Sequence, residues 1–261
     1  MILNCHAICA PGLVRLENQD NLYINGVFRN DISDNMAYSF SDKASNRGLY
    51  AVADGMGGEK HGELAALIAV QAMSTIKPSD NGQGITQYLI ERNAIICDLM
   101  AENGGARIGS TFVGLNINGK NANITNIGDS RAYLFRGGEL NQLSRDHTSI
   151  QQMIELGVLT MEKARSHPDR HKLTQHLGIF PSEIIIQPLT TSTAVEAGDI
   201  FLLCSDGLTD MLEDAEIIGI FASTGSIEES AEALYDEALK NGGKDNITIL
   251  IVQAKKGGLF K

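Results

Sequence analysis

Seven short runs of apolar and β-branched residues, each bounded by Gly, Asn, Asp or another turn former, constrain this chain more than anything else in it. They are "NLYING", "LYAVAD", "TFVGLNI", "ANITNIG", "RAYLFR", "IFLLCS" and "NITILIV". Runs of this length with turn residues at their ends read as β-strands. "NING" and "FRGGEL" place Asn-Gly and Gly-Gly where a chain reverses, so neighbouring strands are joined as hairpins and pair antiparallel. Helical periodicity is confined to other blocks. It runs over 61–76 through Leu64, Leu67, Ile68, Ala72 and Ile76, and over 85–100 through Ile85, Leu89, Ile96, Leu99 and Met100. It recurs over 227–239 through Ile227, Ala231, Leu234, Tyr235, Ala238 and Leu239, opened by Ser226 with Glu229 in a capping-box pattern. Blocks of strands and blocks of helices predict one α+β domain over 1–261. Its centre is an antiparallel β-sandwich, flanked by helical layers on both sides.

With 261 residues, 43% of them hydrophobic, the chain can bury such a core. The polar stretches 29–47 and 78–84 read as surface excursions, and the polar, His-rich region 146–172 as a mobile flap over a site. A net charge of -11 repels phosphate backbones, and the Lys255–Lys256 tail is the only basic cluster, so nucleic acid is not an expected partner. The start "MILNCHAICAPG" lacks the basic and apolar regions of a signal peptide, and "LAALIAVQAM" is too short to cross a bilayer. Cys5, Cys9, Cys97 and Cys204 show no C-x-x-C spacing. Free thiols without a signal fit the cytoplasm and no membrane partner.

Four aspartates share one context, at the start or end of a strand beside a Gly or a sharp turn. They are Asp20 in "ENQDNLYI", Asp54 in "VADGMGG", Asp206 in "LCSDGL" and Asp245 in "GKDNITI". A lone Asp-Gly is more often a turn or a helix cap than a ligand. Four carboxylates gathered together would repel one another and need cations. Oxygen ligands select hard ions, Mg²⁺ or Mn²⁺ rather than zinc. The Gly55 carbonyl could join such a shell. Two ions about 3.5–4 Å apart could bridge a water, lower its pKa and aim it at phosphorus. Spacing alone does not bring the four together.

Convergence is implied by resemblance. In order, "VRLENQDN", "VADGMGG", "GSTFVGL", "NIGDSRAYLF", "LSRDHT", "HPDRHKLTQHLG", "LLCSDGLTDML" and "GGKDNITILIV" resemble the motifs of bacterial metal-dependent Ser/Thr protein phosphatases of type 2C, the PPM family. The likeness spans about 12–253. It implies a metal centre at one end of the sandwich, with two Mn²⁺ or Mg²⁺ ions, and phosphoserine and phosphothreonine proteins as substrates. Signalling opposite a Ser/Thr kinase that shares those substrates, and a monomeric state, follow from the same likeness. By position, Asp54 would bridge both ions, with the Gly55 carbonyl completing one shell. Asp206 and Asp245 would hold the other ion, and Asp20 would bind directly or stand one ligand removed. Arg15 matches the phosphate-clamping arginine, whose planar guanidinium suits two phosphate oxygens at once. Asn246 and Asp129 would orient ligands or loops by hydrogen bonding, Asp129 in a structural role.

Three positions depart from the family pattern. Gln19 stands where many relatives carry Glu and offers an oxygen without charge. Glu59 occupies the place of a common His. His61, two residues on, is either the proton donor to the leaving oxygen or an N-terminal residue of the helix beginning near 61. Ala106, Arg107 and Ile108 precede Gly109 where many relatives carry an Asp that helps to hold a third metal. Two ions bound firmly and a third weakly, if at all, are therefore expected, with Arg107 placing its charge near the vacant position. His147, His167, His171 and His176 read as polar, substrate-facing flap residues rather than a metal cluster.

Two other functions compete. Cys9 to Arg15 fits C-x5-R, the pattern of thiol phosphatases, but Pro11 removes an amide from the phosphate cradle and Leu16 replaces the usual hydroxyl. A catalytically weak phosphoprotein-binding regulator could keep the same fold, although the retention of Asp54, Asp206 and Asp245 argues for an enzyme.

Overall fold

In the computed structural model, residues 1–57, 61–76, 83–165 and 167–257 are described. Gly58 and Glu59, and residues 78–82 of the expected surface segment, lie outside them. In chain order the first strands are β1 (Ile2–Ala10), β2 (Asp20–Ile24), β3 (Val27–Phe28), β4 (Tyr38–Ala44) and β5 (Arg47–Met56). Helices α1 (Gly62–Val70) and α2 (Gln83–Glu102) follow. Then come β6 (Gly109–Ser110), β7 (Phe112–Asn118), β8 (Asn121–Ile127), β9 (Arg131–Arg136) and β10 (Glu139–Gln142). Two short helices, α3 (Ser149–Glu155) and α4 (Met161–Arg165), precede β11 (Leu189–Ala194) and β12 (Ile200–Cys204). The chain closes with α5 (Asp206–Thr209), α6 (Asp214–Ser223), α7 (Ile227–Lys240) and β13 (Ile247–Lys255).

One sheet runs β10-β9-β12-β13-β1-β4 and the other β11-β8-β7-β5-β2-β3, with β6 paired to the end of β5. Side-chain alternation explains why they stack. Leu3, Cys5, Ala7 and Cys9 of β1 join Leu203 and Leu250 from the same sheet and meet Leu22, Tyr50, Val52 and Val113 from the other. The outer face of the second sheet presents Ala51, Ala53 and Phe112 to α1 and α2. The outer face of the first presents Leu202, Ile249 and Ile251 to α5, α6 and α7. The expected order of helix, sheet, sheet, helix is the one observed.

Several local readings need correction. The N-terminal stretch, not read as a strand from the sequence, forms β1 between β13 and the edge strand β4. Segment 29–47 is not merely an excursion, because it contains the edge strand β4. That strand's alternating exposed residues, Ser39, Ser41 and Lys43, keep the open edge polar. Helix α1 ends at Val70, and Met73–Thr75 continues as a 3₁₀ turn, so the expected single face over 61–76 is broken. Ala65, Ala66, Ile68 and Ala69 are all buried, because small residues let α1 wedge between the sheet and α2. Ser226 does cap α7 by accepting from Glu229 N, but Glu229 reaches Gly225 N instead of closing the box. The reciprocal box belongs to Glu213 and Glu216 at α6.

The sandwich interior should therefore carry most of the stability. Leu203, fully buried between the sheets, offers the check. Leu203→Ala is expected to cost about 2–5 kcal/mol, read in urea as a lower midpoint with an unchanged slope.

Candidate metal centre

Antiparallel pairing carries the ends of distant strands to one edge. The end of β1 lies beside the start of β13, with Ala10 opposite Ile247, and the end of β12 lies beside it too, with Cys204 opposite Ile249. In the other sheet the first residue of β2 faces the last part of β5, so that Asp20 and Asp54 are direct partners. Sequence positions 20, 54, 206 and 245 thus converge because the register demands it. A cleft of about 910 Å³ opens there, with Asp54, Asp206 and Asp245 among its lining residues. Arg15, Gln19, Gly55, Asp129 and Asn246 line it as well. Asp20 lies behind them, almost fully buried.

The carboxylates are held by groups the sequence reading passed over. Asp20 Oδ2 accepts from Ser205 Oγ and Thr248 Oγ1, both at 2.7 Å. Thr111 Oγ1 accepts from Asp54 N at 3.0 Å, and Ser110 Oγ donates to Asp54 O at 3.0 Å. Asn246 works as a staple: Oδ1 accepts from Gln19 N, and Nδ2 donates to Pro11 O and Glu17 O. The two Asp-Gly pairs need their glycines for close approach. A Cβ on Gly55 would lie 2.1 Å from Gly62 O, and one on Gly207 would lie 1.9 Å from Asn246 O. The signal for all of this was present in the motifs, as Ser110 and Thr111 of "GSTFVGL", Ser205 before Asp206, and Asn246 and Thr248 after Asp245.

Electrostatics mark the spot. Burial, then repulsion from Asp206 and Asp245, outweighs the two hydroxyl bonds and raises the Asp20 carboxyl from 3.8 to about 7. Asp54 is raised well above the usual range by burial and by Asp20, Asp206, Asp129 and Asp245. Burial and Asp206 do the same to Asp129. Asp20 Oδ1, buried, has no hydrogen-bond partner. An unpaired buried oxygen beside mutually repelling carboxylates is a donor set that suits hard divalent cations, so the residues fit the ions that the sequence implies.

Other expectations turn out differently. Asp129, expected in a structural role, lines the cleft, and it, Asp206 and His171 each bring a ligand atom within 4.8 Å of the others. His171 is thus set apart from the other flap histidines. Its Nδ1 lies 3.6 Å from Asp206 and its Nε2 3.3 Å from Asp210, and the Asp206 contact raises its pKa. His147 and His176 instead bind backbone at Gly128 and Leu177. Arg107 pairs with Glu183 and stacks over Phe180, so its charge does not serve the cleft. The weak third ion expected above rests on the missing Asp at 106–108 and not on where Arg107 points. His61 is exposed at φ 78°, immediately before α1, and is not part of the cleft lining. Cys9 sits inside a strand, fully buried, its thiol pushed up by burial and by Asp20. That rules out the C-x5-R reading, since the thiolate has no loop of amides around it.

The profile described as Protein phosphatase 2C matches residues 25–242. The chain belongs to that family. It is 31% identical over 256 residues to the Serine/threonine protein phosphatase PstP of Mycobacterium tuberculosis (strain CDC 1551 / Oshkosh), covering 96% of this chain. It spans only 45% of that relative's length. It is 31% identical over 251 residues to the Serine/threonine phosphatase stp of Listeria welshimeri, covering 93% of this chain and 92% of the relative. The crystal structure of the PstP catalytic domain in complex with two manganese ions superposes with a TM-score of 0.80 at 28% identity, covering 98% of this chain and all of that one. Among the described residues of this 2C-family chain, no helix is long and apolar enough to cross a membrane.

The raised carboxyls give a pH prediction. The unfolded chain releases the Asp20 proton near 3.8 while the folded chain keeps it to about 7, so the metal-free fold loses stability as pH rises through that window. In chelated protein, Asp20→Asn is expected to flatten the fall in melting temperature between mildly acidic and slightly alkaline buffer. Asp54 and Asp129 keep the remaining slope. An unchanged slope in calorimetry would count against this account of Asp20.

Proposed function

We propose that this chain hydrolyses phosphoserine and phosphothreonine in proteins, with two Mn²⁺ or Mg²⁺ ions as cofactors. The observation that carries the reading is the meeting of Asp54, Asp206 and Asp245 on one cleft wall, with the unpaired Oδ1 of Asp20 beneath them. Membership of the 2C family and the two manganese ions of the PstP complex support it. In this reading Asp54 with the Gly55 carbonyl, Asp206, Asp245 and Asp20 would hold the ions. Ions so held would supply an acidified water and screening of phosphoryl charge.

The remaining work falls to the protein. Arg15 Nη2 reaches Asp245 Oδ2 at 2.7 Å, so its guanidinium is already at the mouth of the carboxylate cluster. From there it can take two phosphoryl oxygens and offset the charge that builds as water attacks phosphorus. Gln19 and Asn246 keep the Arg15 loop in place through the Asn246 staple. The bond from phosphorus to the serine or threonine oxygen breaks, and that oxygen must gain a proton. His61, pointing to solvent beside Glu63, is poorly placed to give it, whereas His171 is the imidazole in the cleft lining. A segment 146–172 that swings over the cleft would bring His171 with it. Phosphoproteins shared with a Ser/Thr kinase, and a monomeric protein, complete the proposal.

The test is turnover of p-nitrophenyl phosphate and of a phosphothreonine peptide with Mn²⁺. EDTA should abolish both activities and iodoacetamide should spare them. Asp206→Ala should lose at least about a hundredfold in kcat, and Arg15→Ala about ten- to a thousandfold in kcat/KM. Binding of phosphopeptide without turnover would favour the regulator reading, and preference for phosphotyrosine would overturn the substrate class.

A further inference from the structure

The loop that carries Arg15 exposes more apolar surface than a connection between strands requires. Residues 11–19 join β1 to β2, and Leu13, Val14 and Leu16 stand in solvent, Leu16 at 91% exposure. The loop is clamped, not loose. Asn246 Nδ2 holds Pro11 O and Glu17 O at 3.2 and 2.8 Å, and Leu13 N donates to Gly243 O at 2.8 Å. Leu13 is turned toward Gly243, whereas Val14 and Leu16 line the cleft on either side of Arg15 in the chain. Met56 and Leu173 add apolar surface to the same cleft, and Lys244 adds a second cation.

Large apolar side chains fixed beside a charged recognition residue belong to a surface that is covered in use. Its occupant must be continuous with the phosphoryl group that Arg15 receives, since the collar and the guanidinium share one short loop. A small phosphate ester would leave Val14 and Leu16 bare, but a polypeptide would cover them. Resting on the phosphatase reading above, we propose that Val14 and Leu16 select phosphoserine or phosphothreonine segments carrying a large aliphatic side chain two positions before or after the phosphorylated residue. In an extended peptide, side chains at i and i±2 point the same way. A segment that directs its phosphoryl group into the cleft therefore lays those neighbours against the cleft wall.

The experiment compares two phosphothreonine peptides of equal charge, one flanked by Leu and one by Ser, using the full chain with Mn²⁺. Half-burial of one aliphatic side chain predicts a preference of roughly three- to tenfold in kcat/KM for the Leu-flanked peptide. In Leu16→Ser, and further in Val14→Ser/Leu16→Ser, that ratio should fall toward one. Equal kcat/KM for both peptides in the unaltered protein, or a ratio retained in the double variant, overturns the proposal. Sedimentation velocity on the same proteins covers the rival occupant: a dimer that becomes a monomer in Leu16→Ser would make the collar a self-association surface and overturn it too. Absence of any turnover, p-nitrophenyl phosphate included, is the separate failure of the phosphatase reading, and the collar falls with it.

Discussion

Mutual repulsion among carboxylates is the constraint around which the rest of this molecule is arranged. Asp20, Asp54, Asp129, Asp206 and Asp245 act on one another at a single end of the sandwich, and burial of the inner ones makes each charge harder to keep. A loose scaffold would relieve this by moving them apart. Here Asp20 and Asp54 are cross-strand partners, so separating them means breaking sheet register. The strain is borne by two layers of buried aliphatic side chains.

Hydroxyl and amide groups convert that rigid frame into aimed oxygens. Ser205 and Thr248 belong to one sheet and its edge, and Asp20 to the other, so their hydrogen bonds join the two sheets at the site end. Ser110 and Thr111 fix both backbone groups of Asp54. Asn246 draws the Arg15 loop against the start of β13. The glycines after Asp54 and Asp206 matter for a related reason, because any side chain there would push apart segments that must touch.

Much of this was legible in the sequence, and the limits have physical causes. Period-two runs and Asn-Gly or Gly-Gly turns specified the interior strands and their antiparallel joining, since both are local signals. Strand β1 was less visible, as Ala and Cys are small and its alternation is muted. Strand β4 was hidden because an edge strand needs only one buried face and tolerates Asp42 and Lys43. The aspartates could be picked out by their strand-end context, but their meeting depends on which strands pair, which no local pattern encodes. The place of Asp129 and His171 in the cleft lining was hidden for the same reason. The loop after β8 is held by His147, which bonds both backbone groups of Gly128, and the Thr148–Leu173 bridge brings the segment before residue 173 alongside.

That bridge also explains how a helical flap can serve a site built on strands. Thr148 and Leu173 pair at its base, Ser110 and Leu177 pair just beyond, and Asn93 of α2 holds Gly178 N and Ile179 N. The base of the flap is therefore tied to the same Ser110 that fixes the Asp54 carbonyl. His171 lies two residues from the Leu173 anchor, so its approach to Asp206 is governed by the position of that base more than by α3 and α4. A change within 149–172 that leaves the two bridges intact leaves the carboxylates where they are. A change that breaks the Ser110–Leu177 bridge reaches Asp54 itself.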